Sequence, residues 1–339
     1  MTDECIVPPR TWQDPETHYL KAFQSEWYLL VVKLQDCITS ATVDFWSSRG
    51  VRFGHLPITT GSISSPMGLG SDSSPVSVSM FDVSTYLADS MQFGLEYLCR
   101  LSEAGAYYMM PAFRGEASDS THLCQFFHSE AEVPGTLADT QVVVEEYIRH
   151  ILLRLRSQCG AEIEKATGSL DHFARLDDPT PFRSLTLDEA INLLGGSPEL
   201  VTTDPDLGFR GLTRAGEHKL MQQCGEFLWI THFDERSVPF YQANDGQGHA
   251  LNGDLLFGPG EVVGAGQRHI DGDSVRAALR MHEVAEDEYE WYVAMKDNVP
   301  MLTSGFGLGV ERLLMWVTQQ TDIRDFQIFV RENGIEILP

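Results

Sequence analysis

The chain has 339 residues, 42% of them hydrophobic, and 24 Lys and Arg set against 49 Asp and Glu leave a formal charge of −25. That length and apolar content suit one large or two ordinary globular domains and exclude a disordered or collagen-like chain. The acidic balance argues against tRNA or DNA as a main partner, because a protein that grips a phosphate backbone usually carries a basic face. No run of about 18 apolar residues exists, so no transmembrane helix is expected; the longest candidate, residues 27–34, contains Lys33. The acidic N-terminus lacks the apolar stretch of a signal peptide. Six cysteines, at positions 5, 37, 99, 124, 159 and 224, form no Cys-x-x-Cys pair. They read as reduced thiols of a cytoplasmic protein rather than a zinc or disulfide framework.

In chain order, residues 1–15 read as a flexible tail. Apolar residues at Leu20, Phe23, Trp27, Leu30, Val31, Leu34, Ile38, Ala41 and Phe45 predict a helix over 16–47. A strand over 51–56 runs into Pro57. Residues 59–77 are rich in Ser, Gly and Pro and suit a lid loop. The pattern then predicts a strand over 78–83, a helix over 91–101, a strand over 106–111 and a helix over 143–155. Residues 157–215 read as a mostly helical insert, with a helix over 187–194 capped by Thr186 and stopped at Gly195 and Gly196. Strand-like runs follow at 227–231, 239–242, 249–257 and 261–268, then helices at 273–285, 287–293 and 311–319. Strands interleaved with helices in this way indicate an α+β fold with a mainly antiparallel sheet.

Three constellations carry chemistry. In Phe113-Arg114-Gly115-Glu116, followed by His122 and Phe126, an Arg at a strand end can neutralise a phosphate and an aromatic face can take a purine. A surface ion pair is the plain alternative for Arg114. In GDLLFGPGEVVGAGQR, Asp254 and Glu261 come from neighbouring strands and suit Mg²⁺ completed by phosphate oxygens, against the alternative of a Gly-rich hairpin with solvated acids. In GFGLGVER, Arg312 projects from the first turn of a helix; the spacing Gly-x-Gly-x-Gly is not the dinucleotide fingerprint, so a Rossmann site is disfavoured.

Taken in this order, the pieces resemble the catalytic core of class II aminoacyl-tRNA synthetases, closest to the asparaginyl/aspartyl branch. The long helix with GVRFGHLP looks like motif 1, FRGEASDSTHLCQFFHSEAEV like motif 2 and GFGLGVERLLMWV like motif 3; EVVGAGQR, EDEYEWYV and IRDFQIFVR also match. The resemblance implies an α+β catalytic domain over 16–339, an antiparallel sheet flanked by helices, bound ATP and Mg²⁺, and a homodimer formed through motif 1. It implies that Arg114 contacts the α-phosphate and that His122 and Arg312 reach the γ-phosphate. Adenine would lie between Phe126 and Arg312, Glu116 would sit near the adenine or on the metal side of the site, and Asp254 and Glu261 would hold the metal. Ser90, Gln92, Glu96, Glu130 and Arg268 would line the amino-acid pocket, Glu96 facing a side-chain amide, Glu130 the α-ammonium and Arg268 the side-chain carbonyl or carboxylate.

The sequence departs from the family in several places. With only a short tail ahead of motif 1, no anticodon-binding barrel is expected. The Arg before the motif 2 His is Thr121, the Glu before the stacking Phe is Gln125, the aspartate-branch pocket Lys falls at Leu95, and the Pro-His before motif 3 is replaced by residues 300–304. With the acidic charge, these departures lead to the expectation of an ATP-dependent ligase that activates aspartate or a related amino acid as an acyl-adenylate. It would pass the acyl group to ammonia or a small amine, as an archaeal-type asparagine synthetase does, with tRNA unlikely as a partner. Two alternatives stand beside it: a truncated asparaginyl/aspartyl-tRNA synthetase paralogue acting on tRNA or another macromolecule, and a non-catalytic regulator that binds an amino acid or nucleotide.

Overall fold

The computed structural model describes residues 5–64 and 74–336. In chain order the elements are α1 (Pro15–Ala22), α2 (Glu26–Ser48), β1 (Arg52–Phe53), β2 (Thr59–Thr60), β3 (Val76–Met80), β4 (Val83–Leu87), α3 (Gln92–Cys99), β5 (Ala106–Phe113), β6 (Gln125–Pro134) and α4 (Leu137–Thr167). There follow β7 (Arg183–Thr186), α5 (Leu187–Leu193), β8 (Val201–Thr203), β9 (Arg210–Leu212), α6 (Arg214–Cys224), β10 (Leu228–Thr231), β11 (Asn252–Phe257), β12 (Gly260–Gln267), α7 (Gly272–Met281), α8 (Glu290–Asn298), β13 (Thr303–Gly309) and α9 (Val310–Thr318).

The main sheet runs β1-β5-β6-β13-β12-β11-β10-β7. Its six central strands are antiparallel, and the edge strands β1 and β7 pair parallel to β5 and β10. One face of the sheet is sealed by α2, α4 and α9. In α4 the buried residues Val144, Tyr147, Ile148, Ile151, Leu152, Leu155 and Ile163 recur at helical spacing and make one apolar stripe. The helix starts at a capping box, in which the Thr136 hydroxyl accepts the Asp139 N–H and the Asp139 carboxylate accepts the Thr136 N–H; it ends where Gly168 turns left-handed at φ 82°. The close approach of β13 to β6 needs glycine at 305. A Cβ there would come 2.6 Å from the Ala131 carbonyl oxygen and 1.9 Å from the Glu132 carboxylate. On the opposite face α3 packs on β5, β6 and β13 and α6 on β10, β11 and β12, and the site lies between them.

The structure departs from several sequence expectations. The helix expected over 16–47 is two helices broken at Phe23–Ser25, where Ser25 is extended and Phe23 is 80% exposed. Residues 5–14, ahead of α1, are anchored to the body rather than free. Trp12 is buried and its indole N–H donates to Oδ1 of Asp325 at 2.7 Å, while Ile6 joins the main core. The strand expected over 78–83 is a β3–β4 hairpin whose turn residues, Phe81 and Asp82, both have positive φ, the geometry that matches the twist of the flanking strands. Residues 239–242 form no strand. The 157–215 stretch is mixed: the end of α4 and α5 are joined by β7, which enters the main sheet, and by the β8–β9 hairpin. The middle of the loop expected over 59–77 to act as a lid, residues 65–73, lies outside the described residues. Among the described residues no helix is long and apolar enough to cross a membrane.

Candidate active site

Strand β6 alternates its side chains, so Phe126, His128, Glu130 and Glu132 share one face. Two adjoining cavities open along that face. The smaller, about 380 Å³, is lined by Arg114, Glu116, His122, Phe126, Glu261 and Arg312, among others. The larger, about 910 Å³, takes in Ser90, Gln92, Glu130, Asp254, Gln242 and Arg268. Arg114, His128, Glu261 and Gly307 border both. The two arginines, 198 positions apart in sequence, therefore meet at one cavity because β5 and β13 flank β6 and carry them to the same end of the sheet.

In the smaller cavity the Arg114 guanidinium stands 5.7 Å from the Phe126 ring centroid, and its buried Nε has no hydrogen-bond partner among the described residues. A buried, unpartnered donor is costly, and an anion would satisfy it. Arg312 donates from Nη1 to the Glu261 carbonyl at 2.7 Å, with the Glu261 carboxylate 3.6 Å away. Glu116 accepts the backbone N–H of Ser74 at 2.7 Å. His122 is held by an Asx turn: Oδ1 of Asp119 accepts the N–H groups of Thr121 and His122 at 2.7 and 2.8 Å and lies 3.1 Å from His122 Nδ1. Burial opposes ionisation of Asp119, yet these hydrogen bonds hold its carboxyl well below the usual range.

In the larger cavity Glu130 receives the hydroxyls of Ser90 and Tyr108 on Oε2 and has His128 Nδ1 2.8 Å from Oε1. Burial pushes its carboxyl up, and His128, Ser90 and Tyr108 outweigh that and keep it below the ordinary value, hence anionic. The amide nitrogen of Gln92 is buried without a hydrogen-bond partner among the described residues. Arg268 is 3% exposed and donates from Nε and Nη2 to Glu132 at 3.1 and 3.0 Å, and from Nη1 to Gln242 at 3.2 Å. Burial works against its charge, and the facing Glu132 carboxylate more than restores it.

Glu96 is not brought to the pocket. It is wholly buried, borders neither cavity, accepts the Tyr292 hydroxyl at 2.7 Å and pairs with Lys296. The expected contact of Glu96 with a substrate amide does not fit this arrangement, because an internal cation already neutralises the carboxylate.

Asp254 and Glu261 flank Gly264. A methyl group placed on that glycine would lie 3.1 Å from Glu261 Oε1 and 3.8 Å from Asp254 Oδ1, so the missing side chain leaves a cradle between two hard oxygen donors. Burial, then the charges of Glu261 and Glu217, push the Asp254 carboxyl well above its ordinary value. Burial and Glu261 push Glu217 up to about 7. Such uncompensated negative charge fits Mg²⁺. Among the described residues no three His, Cys, Asp or Glu side chains are grouped to hold a metal by themselves, so phosphate oxygens would have to complete the shell.

Three participants escape the sequence reading. Glu217 arrives from α6, and nothing in RAGEHKLMQQC marks it. Arg214, on the same helix, donates to the Thr121 hydroxyl at 2.8 Å, placing a guanidinium beside the position where the family has its Arg. His128 was legible: it lies two residues from both Phe126 and Glu130 on an alternating strand. The β8–β9 hairpin also supplies wall to the larger cavity through Phe209 and Arg210, so the 157–215 stretch contributes to the site.

An antiparallel sheet that carries a motif 2 arginine and a motif 3 arginine to one cavity, beside paired carboxylates, defines the catalytic core of a class II aminoacyl-tRNA synthetase. The chain belongs to the family of class II tRNA synthetases (D, K and N), whose family model matches residues 14–333. It is 27% identical over 334 residues to an asparagine–tRNA ligase of Syntrophobacter fumaroxidans, covering 90% of this chain and 70% of that protein. It is also 27% identical to the corresponding ligase of Clostridium beijerinckii, covering 86% and 67%. Its fold matches the asparaginyl-tRNA synthetase of Pyrococcus horikoshii complexed with asparaginyl-adenylate, with a TM-score of 0.85 at 24% identity, over 98% of this chain and 74% of that one.

These relatives correct two expectations. The acidic charge and the missing barrel were the grounds for expecting tRNA to be an unlikely partner, yet proteins similar over most of this chain are tRNA ligases. Net charge sums over the whole surface and says little about the field at one cleft. The asparagine synthetase-like transfer to ammonia or a small amine finds no support among them.

Proposed function

We propose that this chain activates asparagine with ATP and Mg²⁺ as asparaginyl-adenylate and transfers the acyl group to the 3′ end of a tRNA. The observation that carries the reading is the convergence of Arg114, His122, Phe126 and Arg312 on one cavity that opens, past Arg114 and His128, into a second. Triphosphate in the smaller cavity and amino acid in the larger would meet at Arg114, whose unpartnered Nε supports a role in stabilising charge on the α-phosphate during in-line displacement. Phe126 and Arg312 would hold adenine, with Glu116 and His122 at its edge and at the distal phosphate. Asp254 and Glu261 would hold Mg²⁺, which supplies charge neutralisation of the phosphates.

Glu130, kept anionic, would receive the α-ammonium beside Ser90 and Gln92. Arg268 would reach the side chain. Its charge is already matched by Glu132, which leaves that wall without net positive charge and favours a neutral amide over a carboxylate. Exposed Leu29, Val32 and Val43 on α2, with Phe53 on β1, offer the motif 1 surface for a homodimer.

Amino-acid-dependent exchange of pyrophosphate into ATP tests the adenylation step. The expected result is exchange with asparagine well above that with aspartate, and charging of tRNA bearing the asparagine anticodon. Absence of exchange with either amino acid would overturn the reading.

A further inference from the structure

The smaller cavity is short of positive charge for the polyanion proposed to fill it. Its lining sets the guanidiniums of Arg114 and Arg312 against the carboxyls of Glu116, Glu261 and Glu311. Arg312 already faces the Glu261 carboxylate at 3.6 Å. A Mg²⁺ ion held by Asp254 and Glu261 would be neutralised by those two ligands. Each phosphoryl group of a triphosphate carries negative charge, and a partly enclosed site that leaves it unmatched binds it weakly. A further cation stands at the rim. Arg214 is the first residue of α6, and its Nη2 donates to the Thr121 hydroxyl at 2.8 Å. The Thr121 oxygen lies 3.2 Å from His122 Nδ1. Thr121 and His122 border the smaller cavity alone, whereas Arg114 borders both. The Arg214 guanidinium is therefore one hydroxyl away from the smaller cavity, at the end away from the junction.

Two features set this arginine apart from an ordinary surface one. Its base is fixed. The Thr213 hydroxyl caps α6 by accepting the Gly216 N–H at 3.0 Å, and a Cβ at 216 would come 2.1 Å from the Leu200 carbonyl oxygen, so the first turn of α6 is seated on the chain just before β8. Its charge is also unmatched. Arg210, Arg268 and Arg312, around the same two cavities, each face a carboxylate, while Arg214 forms no ion pair among the described residues. The side chain is exposed, and a neutral hydroxyl is a poor use of a full positive charge beside an anion site. We infer, given ATP in the smaller cavity as proposed, that Arg214 is a binding residue for its outer phosphates. When the nucleotide enters, the guanidinium exchanges the Thr121 hydroxyl for a phosphoryl oxygen, which brings α6 onto the ligand.

ATP and AMP share the α-phosphate and differ in the outer two, so their affinities for the full chain, measured with Mg²⁺ by titration calorimetry, test the assignment. R214Q keeps a donor for Thr121 and loses the charge. It is expected to bind ATP about tenfold more weakly and AMP like the wild type. R214K keeps the charge and is expected to stay within about threefold of the wild type for ATP. In pyrophosphate exchange R214Q should raise the KM for ATP and leave that for asparagine unchanged. The difference in ATP affinity between wild type and R214Q should narrow as salt is added. An R214Q that binds ATP like the wild type, a loss shared equally by ATP and AMP, or an R214K as weak as R214Q would overturn the inference and leave the nucleotide reading standing. A wild-type chain that binds neither nucleotide overturns the ATP reading of the cavity, and the role of Arg214 with it.

Discussion

Arg268 and Glu132 face each other in the interior, 3% and 0% exposed, so removing either partner strands the other charge in a low-dielectric wall. E132A should destabilise the fold by about 3–5 kcal/mol, read as a lowered urea midpoint, and R268A by a similar amount. E132Q, which keeps a hydrogen-bond acceptor, should lose less. At Arg114 and Arg312 the expected cost falls on the proposed adenylation. Both side chains reach an open cavity and neither anchors the core, so R114A and R312A should stay folded while asparagine-dependent pyrophosphate exchange drops by about 10²-fold or more. A loss under tenfold in both variants would mean that these guanidiniums do not meet the phosphates.

Helix α4 is the element that couples the sealed face of the sheet to its rim. It packs on α2, β12, β13 and α9, and its first turn sits at Thr136, whose carbonyl accepts the Ser304 hydroxyl from β13 at 2.8 Å. T136A removes the capping box and should cost about 1 kcal/mol of stability with little effect on exchange, measurable as a shifted denaturant midpoint with an unchanged rate. Strand β6 is the element that builds the site. Its alternation sends Phe126, His128, Glu130 and Glu132 to the face that bears the site, while Ser129 is buried on the other, hydrogen-bonded to Tyr147 of α4. A one-residue slip of register would exchange these sets, so the same pairing that closes the core places the chemistry.

At the scale of the molecule, three buried carboxyls around the two cavities titrate high. Burial pushes Glu217 and Glu311 up to about 7, and burial with two neighbouring carboxylates pushes Asp254 well above its ordinary value. A carboxyl raised in the folded state binds its proton more tightly there than in the unfolded chain. Its contribution is therefore full below the ordinary carboxylate range and is lost as pH rises toward 7. Thermal stability is expected to fall between about pH 5 and pH 7.5, and Mg²⁺ with ATP is expected to recover part of it at the upper end. E311Q, which removes a buried titrating group that accepts the Phe127 backbone N–H, should flatten the slope. A melting temperature independent of pH in that window would refute the assignment.

The order of short motifs along the chain was enough to determine the family, the antiparallel core and the two arginines, because each motif needs only local neighbours: a glycine-rich strand, a helix start, an alternating run. The structure separated residues that look equivalent on paper. Glu96 and Glu130 both suggest a substrate carboxylate, and only the packing of α8 against α3 shows that Lys296 takes the first while the second stays at the cavity wall. Glu217 and Arg214 enter the site from a helix without any local mark. The break at Phe23–Ser25 and the packed segment before α1 depend on the C-terminal turn around Asp325. Ion pairing and burial are properties of neighbours brought together from distant stretches of chain, and periodicity in one stretch carries no information about which neighbours those will be.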